Sequence, residues 1–143
     1  AGEHDHDQPG IGPKKHDDSL PIDKRLVSSG VSIGTVDRVR QNMAEWGLDT
    51  VNFQYHEGWF QHVLPLVETG PIAMLRLDGD LYESTKCCLE HLYPRVVPGG
   101  VVLLDDYPLP GSRKAMEEYL LIEAILPTDF FKADTGAVAW VKP

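Results

Sequence analysis

The chain has 143 residues, and 22 acidic against 13 basic side chains give it a formal net charge of −9. This length suits one compact domain, and an acidic balance without a basic cluster argues against nucleic acid or an anionic membrane surface as a partner. The sequence contains no apolar run long enough for a membrane span. Small molecules, cations or another protein chain fit this composition better.

The only two cysteines, Cys87 and Cys88, are adjacent in the sequence. A secreted domain of this size would more often carry separated cysteines that pair as disulfides. The cysteine usage therefore favours a reducing compartment, and we expect a cytoplasmic location.

The first part of the chain differs in composition from the rest. Residues 1–23 combine glycine, proline, aspartate and histidine with almost no apolar periodicity. Such a segment buries too little apolar surface to offset the entropy of ordering its backbone. We predict a mobile arm or lid-like loop over 1–23 and a single α/β domain over 24–143.

The first elements of this domain are predicted from apolar spacing. An amphipathic helix is predicted where apolar residues recur every three or four positions before Gly47, namely at Val36, Val39, Met43 and Trp46. Alternating apolar and polar residues predict a short strand over 51–56, and a helical turn is expected over 59–64. The dense apolar run over 71–78 predicts a strand that is buried on both faces of a parallel sheet.

Further helices and strands are predicted to alternate. A helix should begin at 82–84, end at the Pro-Gly-Gly sequence of 98–100, and carry inward the residues Cys88, Leu89, Leu92 and Val96. Residues 101–106 predict a second buried strand, and Ser112 is a candidate N-cap for a helix that ends near Ile125. Residues 129–133 and 137–142 should form an antiparallel hairpin. This alternation predicts a doubly wound α/β sheet with an antiparallel end.

Carboxylates follow both predicted parallel strands at the point where each strand ends. Asp78 and Asp80 follow the first strand, and Asp105 and Asp106 follow the second. Ligands of such sheets bind beyond the carboxyl ends of the strands, where four carboxylates would repel one another unless a cation lay among them. Hard oxygen ligands suit Mg²⁺, Ca²⁺ or Mn²⁺. A single aspartate at a strand end can instead cap a helix or turn the chain.

The spacing of Asp78 and Asp80 also resembles phosphotransferases related to the haloacid dehalogenases. In those enzymes, the first aspartate is a nucleophile and the second is an acid or a base. Leu81, Tyr82 and Glu83 do not fit the residues that follow the pair in that family, and the second acidic strand arrives too soon for its other motifs. Phosphoryl transfer through Asp78 is therefore a less favoured alternative.

Four blocks of sequence carry a more specific resemblance. In chain order they read GWFQHVLP, LRLDGDLYEST, LYPRVVPGGVVLLDDY and PGSRKAMEEY. Together they resemble the macrocin O-methyltransferase family, whose members methylate sugar or aromatic hydroxyls in antibiotic biosynthesis. The resemblance implies an S-adenosylmethionine- and Mg²⁺-dependent transfer of a methyl group to a small-molecule hydroxyl acceptor.

The resemblance also implies roles for the acidic residues. Asp78, Asp105 and Asp106 would hold the metal, and Asp80 would be the general base toward the acceptor hydroxyl. The chemistry is compatible, because a divalent cation lowers the pKa of a bound hydroxyl and fixes its oxygen. The alternative for Asp80 is a cap on the following helix.

Three residues are expected at the S-adenosylmethionine site, namely Gly58, Trp59 and Asp78. Methyltransferases of this shape place the adenine after the strand that we predict at 51–56. Trp59 could cover the adenine ring, and Gly58 could let the backbone approach it. The alternative for Trp59 is packing in the core.

The sequence departs from the family in its first half. No glycine-rich loop follows a first strand, and the nearest candidate, residues 28–35, has no strand before it. We therefore expect a Rossmann-like methyltransferase sheet that lacks its first two strands, with a C-terminal antiparallel hairpin. The missing strands would leave one edge of 72–78 open, which predicts a homo-oligomer or a rearranged N-terminal half. The alternative to an enzyme is a non-catalytic metal-binding or assembly module.

Overall fold

A computed structural model describes residues 35–48, 52–125 and 128–143. The helices are α1 (Val36–Glu45), α2 (Phe60–Val63), α3 (Tyr82–Leu92) and α4 (Pro110–Ile122). The strands are β1 (Ile72–Leu77), β2 (Val96–Leu104), β3 (Thr128–Lys132) and β4 (Val138–Val141). Short 3-10 turns over Leu64–Leu66 and Tyr93–Arg95 follow α2 and α3. No helix in these ranges is long and apolar enough to cross a membrane.

The four strands form one mixed sheet in the order β1-β2-β4-β3. β1 and β2 are parallel, whereas β4 runs antiparallel to both β2 and β3. The predicted α/β class and the C-terminal antiparallel hairpin are confirmed. The order also agrees with a Rossmann-like methyltransferase sheet without its first two strands, because the parallel pair β1 and β2 is followed in the sheet by the antiparallel hairpin of β3 and β4.

The core lies between the sheet and the pair α3 and α4, which pack against each other. Alternate residues of the three adjoining strands are buried here, namely Leu75, Leu77, Val102, Leu104, Val138 and Trp140. Leu89 of α3 and Met116 of α4 belong to the same cluster. A side-chain hydrogen bond joins the two helices, with Thr85 Oγ1 and Ser112 Oγ 3.2 Å apart in a fully buried position.

The expectation that β1 is buried on both faces is wrong within the described residues. Leu75 and Leu77 are buried, but Met74 is 59% exposed and Arg76 is also exposed. Successive side chains of a strand point to opposite faces, and the described helices of the core cover only one of them. The apolar run therefore did not distinguish a one-sided strand from a two-sided one.

The Pro-Gly-Gly sequence lies inside β2 and does not end a helix. α3 ends at Leu92, and Val96 is the first residue of β2, so the predicted inward helical position of Val96 is also wrong. Ile72 and Met74 pair with Val96 and Val101, which leaves a bulge on the β2 side of the ladder. Hydrogen bonds between the 98–100 segment and Lys142 satisfy the bulged backbone, so proline and glycine do not break the strand.

Ser112 is not the N-cap of α4. The cap is Leu109, and Pro110 occupies the first turn, where its fixed φ and missing N–H are tolerated. Ser112 is instead buried inside the helix. The helix ends at Ile122, three residues before the predicted end.

Residues 52–57 do not form the predicted strand, and Val51 lies outside the described residues. Phe53 and Tyr55 stack with ring centroids 6.4 Å apart, and the Arg40 guanidinium lies 5.4 Å from the centre of the Tyr55 ring. A strand requires a partner for its backbone N–H and C=O groups, and the described sheet does not extend to this segment. The alternating apolar and polar residues of this segment are therefore not part of a strand, and one of them, Tyr55, contacts Arg40 of α1.

The predicted helix before Gly47 is confirmed. Thr35 is its N-cap, and the Thr35 hydroxyl accepts a hydrogen bond from the Arg38 backbone N–H at 3.3 Å. Gly47 has a φ of 66°, as a left-handed helix end requires. The predicted arm over 1–23 and nearly all of the 28–35 loop lie outside the described residues.

Candidate functional site

The parallel pairing of β1 and β2 brings their carboxyl ends together. Leu77 is opposite Leu104 in the ladder, and the Asp105 backbone N–H donates to the Leu77 carbonyl at 2.9 Å. The residues that follow the two strands are therefore neighbours, although they are 27 positions apart in the register. The predicted juxtaposition of the two acidic strand ends is present in the structure.

Three carboxylates gather at this edge of the sheet. Asp78, Asp80 and Asp106 each offer an oxygen atom, and these atoms all lie within 4.8 Å of one another. Asp78 is exposed, whereas Asp80 and Asp106 are partly buried. The Asp80 backbone N–H donates to Asp106 Oδ2 at 3.1 Å, which ties the two strand ends together.

The loop over 78–81 holds Asp80 in the left-handed conformation, which few residues other than glycine, asparagine and aspartate adopt. Its φ is +59°, in the left-handed region where a side chain costs about 1 kcal/mol or more. Gly79 allows close packing, since a Cβ there would lie 3.0 Å from Ser84 Oγ. Ser84 Oγ donates toward the Gly79 carbonyl at 2.5 Å. Strain held in place by buried contacts is typical of functional loops.

Electrostatics in this group favour a cation. Burial raises the pKa of Asp106, and the nearby charge of Asp80 raises that pKa further, while the hydrogen bond from the Asp80 backbone opposes both effects. Ionisation of Asp106 is therefore less favourable here than for a carboxyl group in water. A hard divalent cation would relieve the repulsion, and carboxylate oxygens are the ligands that Mg²⁺ prefers in proteins. The donor set fits the predicted metal.

Asp105 lies in a different arrangement from the other three predicted acids. Its Oδ2 atom accepts a hydrogen bond from Arg76 Nη2, and the same nitrogen lies 2.9 Å from Asp78 Oδ2. The hydrogen bond that Arg76 donates to Asp105 and the charge of Asp78 raise the pKa of Arg76. Asp105 is thus held by an ion pair, while its role as a metal ligand stays a prediction.

Arg76 was not singled out from the sequence. The available signal was a single charged residue within an apolar strand, two positions before Asp78 and therefore on the same face. Leu81 occupies the N-cap position of α3 and makes no side-chain cap hydrogen bond, so Asp80 does not stand at the N-cap itself.

The expected cofactor residues Gly58 and Trp59 precede α2, with Trp59 at the N-cap position. Phe60 of α2 approaches the acidic loop, since its Cε2 atom lies 3.7 Å from the position of a Cβ on Gly79. Gly58 has a φ of +139°, and a Cβ there would be 2.7 Å from Val63 Cγ2. Internal packing therefore explains this glycine without a ligand, and the cofactor roles of Gly58, Trp59 and Asp78 stay predictions.

Comparisons with known proteins agree with the resemblance. The family described as Macrocin-O-methyltransferase (TylF) matches residues 9–142. The chain is 40% identical over 110 residues to an 8-demethyl-8-(2,3-dimethoxy-alpha-L-rhamnosyl)-tetracenomycin-C 4'-O-methyltransferase of Streptomyces olivaceus, covering 75% of this chain and 42% of the relative. It is 36% identical over 115 residues to a mycinamicin III 3''-O-methyltransferase of Micromonospora griseorubida, covering 75% and 44%.

A solved structure supports the same fold. The O-methyltransferase NovP superposes with a TM-score of 0.75 at 34% sequence identity, covering 80% of this chain and 47% of NovP. The expected methyltransferase fold is thereby confirmed. The chain spans less than half the length of each of these three proteins.

Proposed function

This chain belongs to the macrocin-O-methyltransferase (TylF) family, and from that premise we propose that it carries the metal and base residues of an S-adenosylmethionine-dependent O-methyltransferase. The proposed acceptor is a hydroxyl of a sugar or aromatic natural product, because relatives are named for methylating a rhamnosyl-tetracenomycin and a mycinamicin. The family membership disfavours the phosphotransferase alternative. The observation that carries the proposal is the gathering of Asp78, Asp80 and Asp106 within 4.8 Å.

Asp78 and Asp106 would hold the divalent cation, with Asp105 as the third ligand. They come from two strand ends that the parallel ladder fixes side by side. When bound, the cation would lower the pKa of the acceptor hydroxyl and fix its oxygen. The partial burial of Asp106 limits its solvation by water, which favours coordination over hydration.

Asp80 would remove the proton from the acceptor hydroxyl. S-adenosylmethionine, when bound, supplies an electrophilic methyl group. Transfer of that methyl group to the acceptor oxygen would break the methyl–sulfur bond and leave S-adenosylhomocysteine, and an Asp80 carboxylate oxygen would take up the proton of the acceptor hydroxyl. A base adds about 10²-fold to 10⁴-fold, and only when it is held within hydrogen-bonding distance of the proton that it takes. The strained backbone of Asp80, fixed by its hydrogen bond to Asp106, supports such a positioned role.

Gly58, Trp59 and Asp78 would lie at the cofactor. The packing of Phe60 beside Gly79 supports this, because it brings the segment before α2 close to the acidic loop. A Trp59→Phe substitution keeps an aromatic ring, whereas Trp59→Ala removes it. We expect the alanine variant alone to lose most of its affinity for S-adenosylmethionine.

A second candidate is a metal-binding or assembly module without catalysis. The observation that favours it is the gathering of Asp78, Asp80 and Asp106, which by itself accounts for metal binding and not for methyl transfer. Calorimetry separates the two functions. An enzyme must bind both Mg²⁺ and S-adenosylmethionine, whereas a module should bind Mg²⁺ and ignore S-adenosylmethionine. Failure to bind Mg²⁺ would contradict both.

We also propose that the protein forms a homo-oligomer through β1 and acts in the cytoplasm. β1 ends the described sheet, and the 59% exposure of Met74 leaves an apolar side chain on its open face. Sedimentation should show an oligomer that Met74→Lys weakens. If the natural chain sediments as a monomer and Met74→Lys does not change its sedimentation, the proposed homo-oligomer is contradicted. The buried thiols of Cys87 and Cys88 suit the proposed reducing location.

A further inference from the structure

Arg76 is placed between acids that belong to the two strand ends. It lies two residues before Asp78 in β1, so both side chains leave the same face of the strand. One nitrogen, Nη2, contacts the Oδ2 atoms of both Asp78 and Asp105, which come from adjacent strands. The guanidinium therefore bridges β1 and the end of β2.

We propose that Arg76 is a built-in counter-cation, which neutralises Asp78 and Asp105 when no divalent ion is bound and releases Asp105 when one binds. The inference rests on the metal site of the proposed function. Asp105, which Arg76 holds, lies outside the group formed by Asp78, Asp80 and Asp106. The inference makes Arg76 a positioning residue, since it acts through two carboxylates.

The argument follows from the charges at this edge of the sheet. Four carboxylates follow two neighbouring strands, and without compensation they would repel one another. Arginine stays protonated at all relevant pH values and can bridge two carboxylates. A guanidinium that remains nearby also repels an entering divalent ion. The same carboxylate oxygens cannot fully bind both the guanidinium and the divalent ion. Arg76 should therefore stabilise the metal-free chain and weaken metal binding.

The magnitude follows from Coulomb's law. A single and a double positive charge at a separation of about 7 Å in water repel enough to weaken binding by roughly fivefold to tenfold. The water value applies because the Arg76 side chain is 57% exposed. An Arg76→Met variant should thus bind Mn²⁺ or Mg²⁺ by about that factor more tightly than the natural chain. Arg76→Lys keeps the charge and should bind with nearly natural affinity.

The experiment is calorimetric titration of Mn²⁺ and Mg²⁺ into the full chain and its variants. Arg40→Met is the matched control, because Arg40 is an exposed arginine whose ion pair is with Asp37 of α1. Thermal unfolding in a chelator gives a second readout. Arg76→Met should melt below the natural chain without metal, and this deficit should shrink at saturating Mn²⁺.

The outcomes distinguish the inference from the function on which it rests. Tighter binding by Arg76→Met, with Arg40→Met unchanged, supports the counter-cation role. If the natural chain binds Mn²⁺ and Arg76→Met binds it equally or more weakly, the role of Arg76 is overturned and the metal site stands. If the natural chain binds neither ion, both proposals are overturned.

Discussion

Replacing Asp80 by asparagine should stabilise the metal-free protein while impairing its proposed activity. Asparagine tolerates the left-handed backbone and keeps the N–H that donates to Asp106, so the loop geometry is preserved. The change removes one of the three carboxylates whose oxygens lie within 4.8 Å of one another. At that separation, two unit charges in water repel by about 1 kcal/mol. The free energy of unfolding should therefore rise by about 1 kcal/mol.

The pH dependence of stability independently gives the sign of the Asp80→Asn effect. The pKa of Asp106 is raised in the folded chain, so the folded state holds that proton more tightly than the unfolded state does. Ionisation of Asp106 therefore costs stability as the pH rises through the interval between the unfolded and folded pKa values. Asp80→Asn should reduce this cost, and its stabilising effect should disappear in acid, where both carboxyls are protonated.

Urea unfolding in a chelator, followed at neutral and acidic pH, measures both effects. Asp37→Asn is the control, because it removes an exposed carboxylate from the first turn of α1. That control removes a negative charge from the N-terminal end of the helix dipole and should lower the free energy of unfolding by about 0.3 to 1 kcal/mol at low salt. Its effect on stability is therefore opposite in sign to that of Asp80→Asn. A destabilised Asp80→Asn variant at neutral pH would refute the repulsion argument. Undiminished methyl transfer by the Asp80→Asn variant would refute the proposed role of Asp80 as the general base.

Other substitutions test the packing and the titration of the core. Burial and then the charge of Glu123 raise the pKa of Tyr119 to about 12, so stability should fall as the pH rises from about 10 toward about 12. Tyr119→Phe should reduce that slope in urea unfolding, and the remainder should come from Tyr93, whose pKa burial also raises. Thr85→Val and Ser112→Ala should each cost about 1 to 3 kcal/mol in thermal unfolding, and the double variant should cost less than their sum; additive losses would contradict a shared hydrogen bond. Gly58→Ala should lower the melting temperature, because its Cβ would meet a side-chain carbon at 2.7 Å, and an unchanged value would show that the helical turn shifts freely.

The elements predicted correctly are those with a local pattern. The spacing before Gly47 predicted α1, and the apolar run before Asp78 predicted β1. The hairpin around residues 134–136 was predicted because two apolar segments flank a short turn. In each case, the preference of neighbouring residues and the final pairing agree.

The incorrect predictions depended on distant partners. The 52–57 segment alternates like a strand but has no adjoining strand in the described residues. The Pro-Gly-Gly sequence resembles a helix end, yet Lys142, more than 40 residues later, pairs with it inside β2. Such contacts are absent from any short window of sequence.

The candidate site was predictable in its location and only partly in its arrangement. Acids after two parallel strands must lie together, so the meeting of Asp78 and Asp106 followed from the fold. Side-chain pairing was not predictable in the same way, because Arg76 competes for Asp105 across two strands. The sequence pattern gives residue types at a strand end, and the structure is needed to assign their partners.

Anomalous diffraction from crystals grown with Mn²⁺ tests the central claim most directly. We predict one ion in contact with carboxylate oxygens of Asp78 and Asp106, with Asp80 beside it and Asp105 no longer paired with Arg76. An ion bound elsewhere on the chain, or no ion at this strand edge at saturating Mn²⁺, would contradict the account.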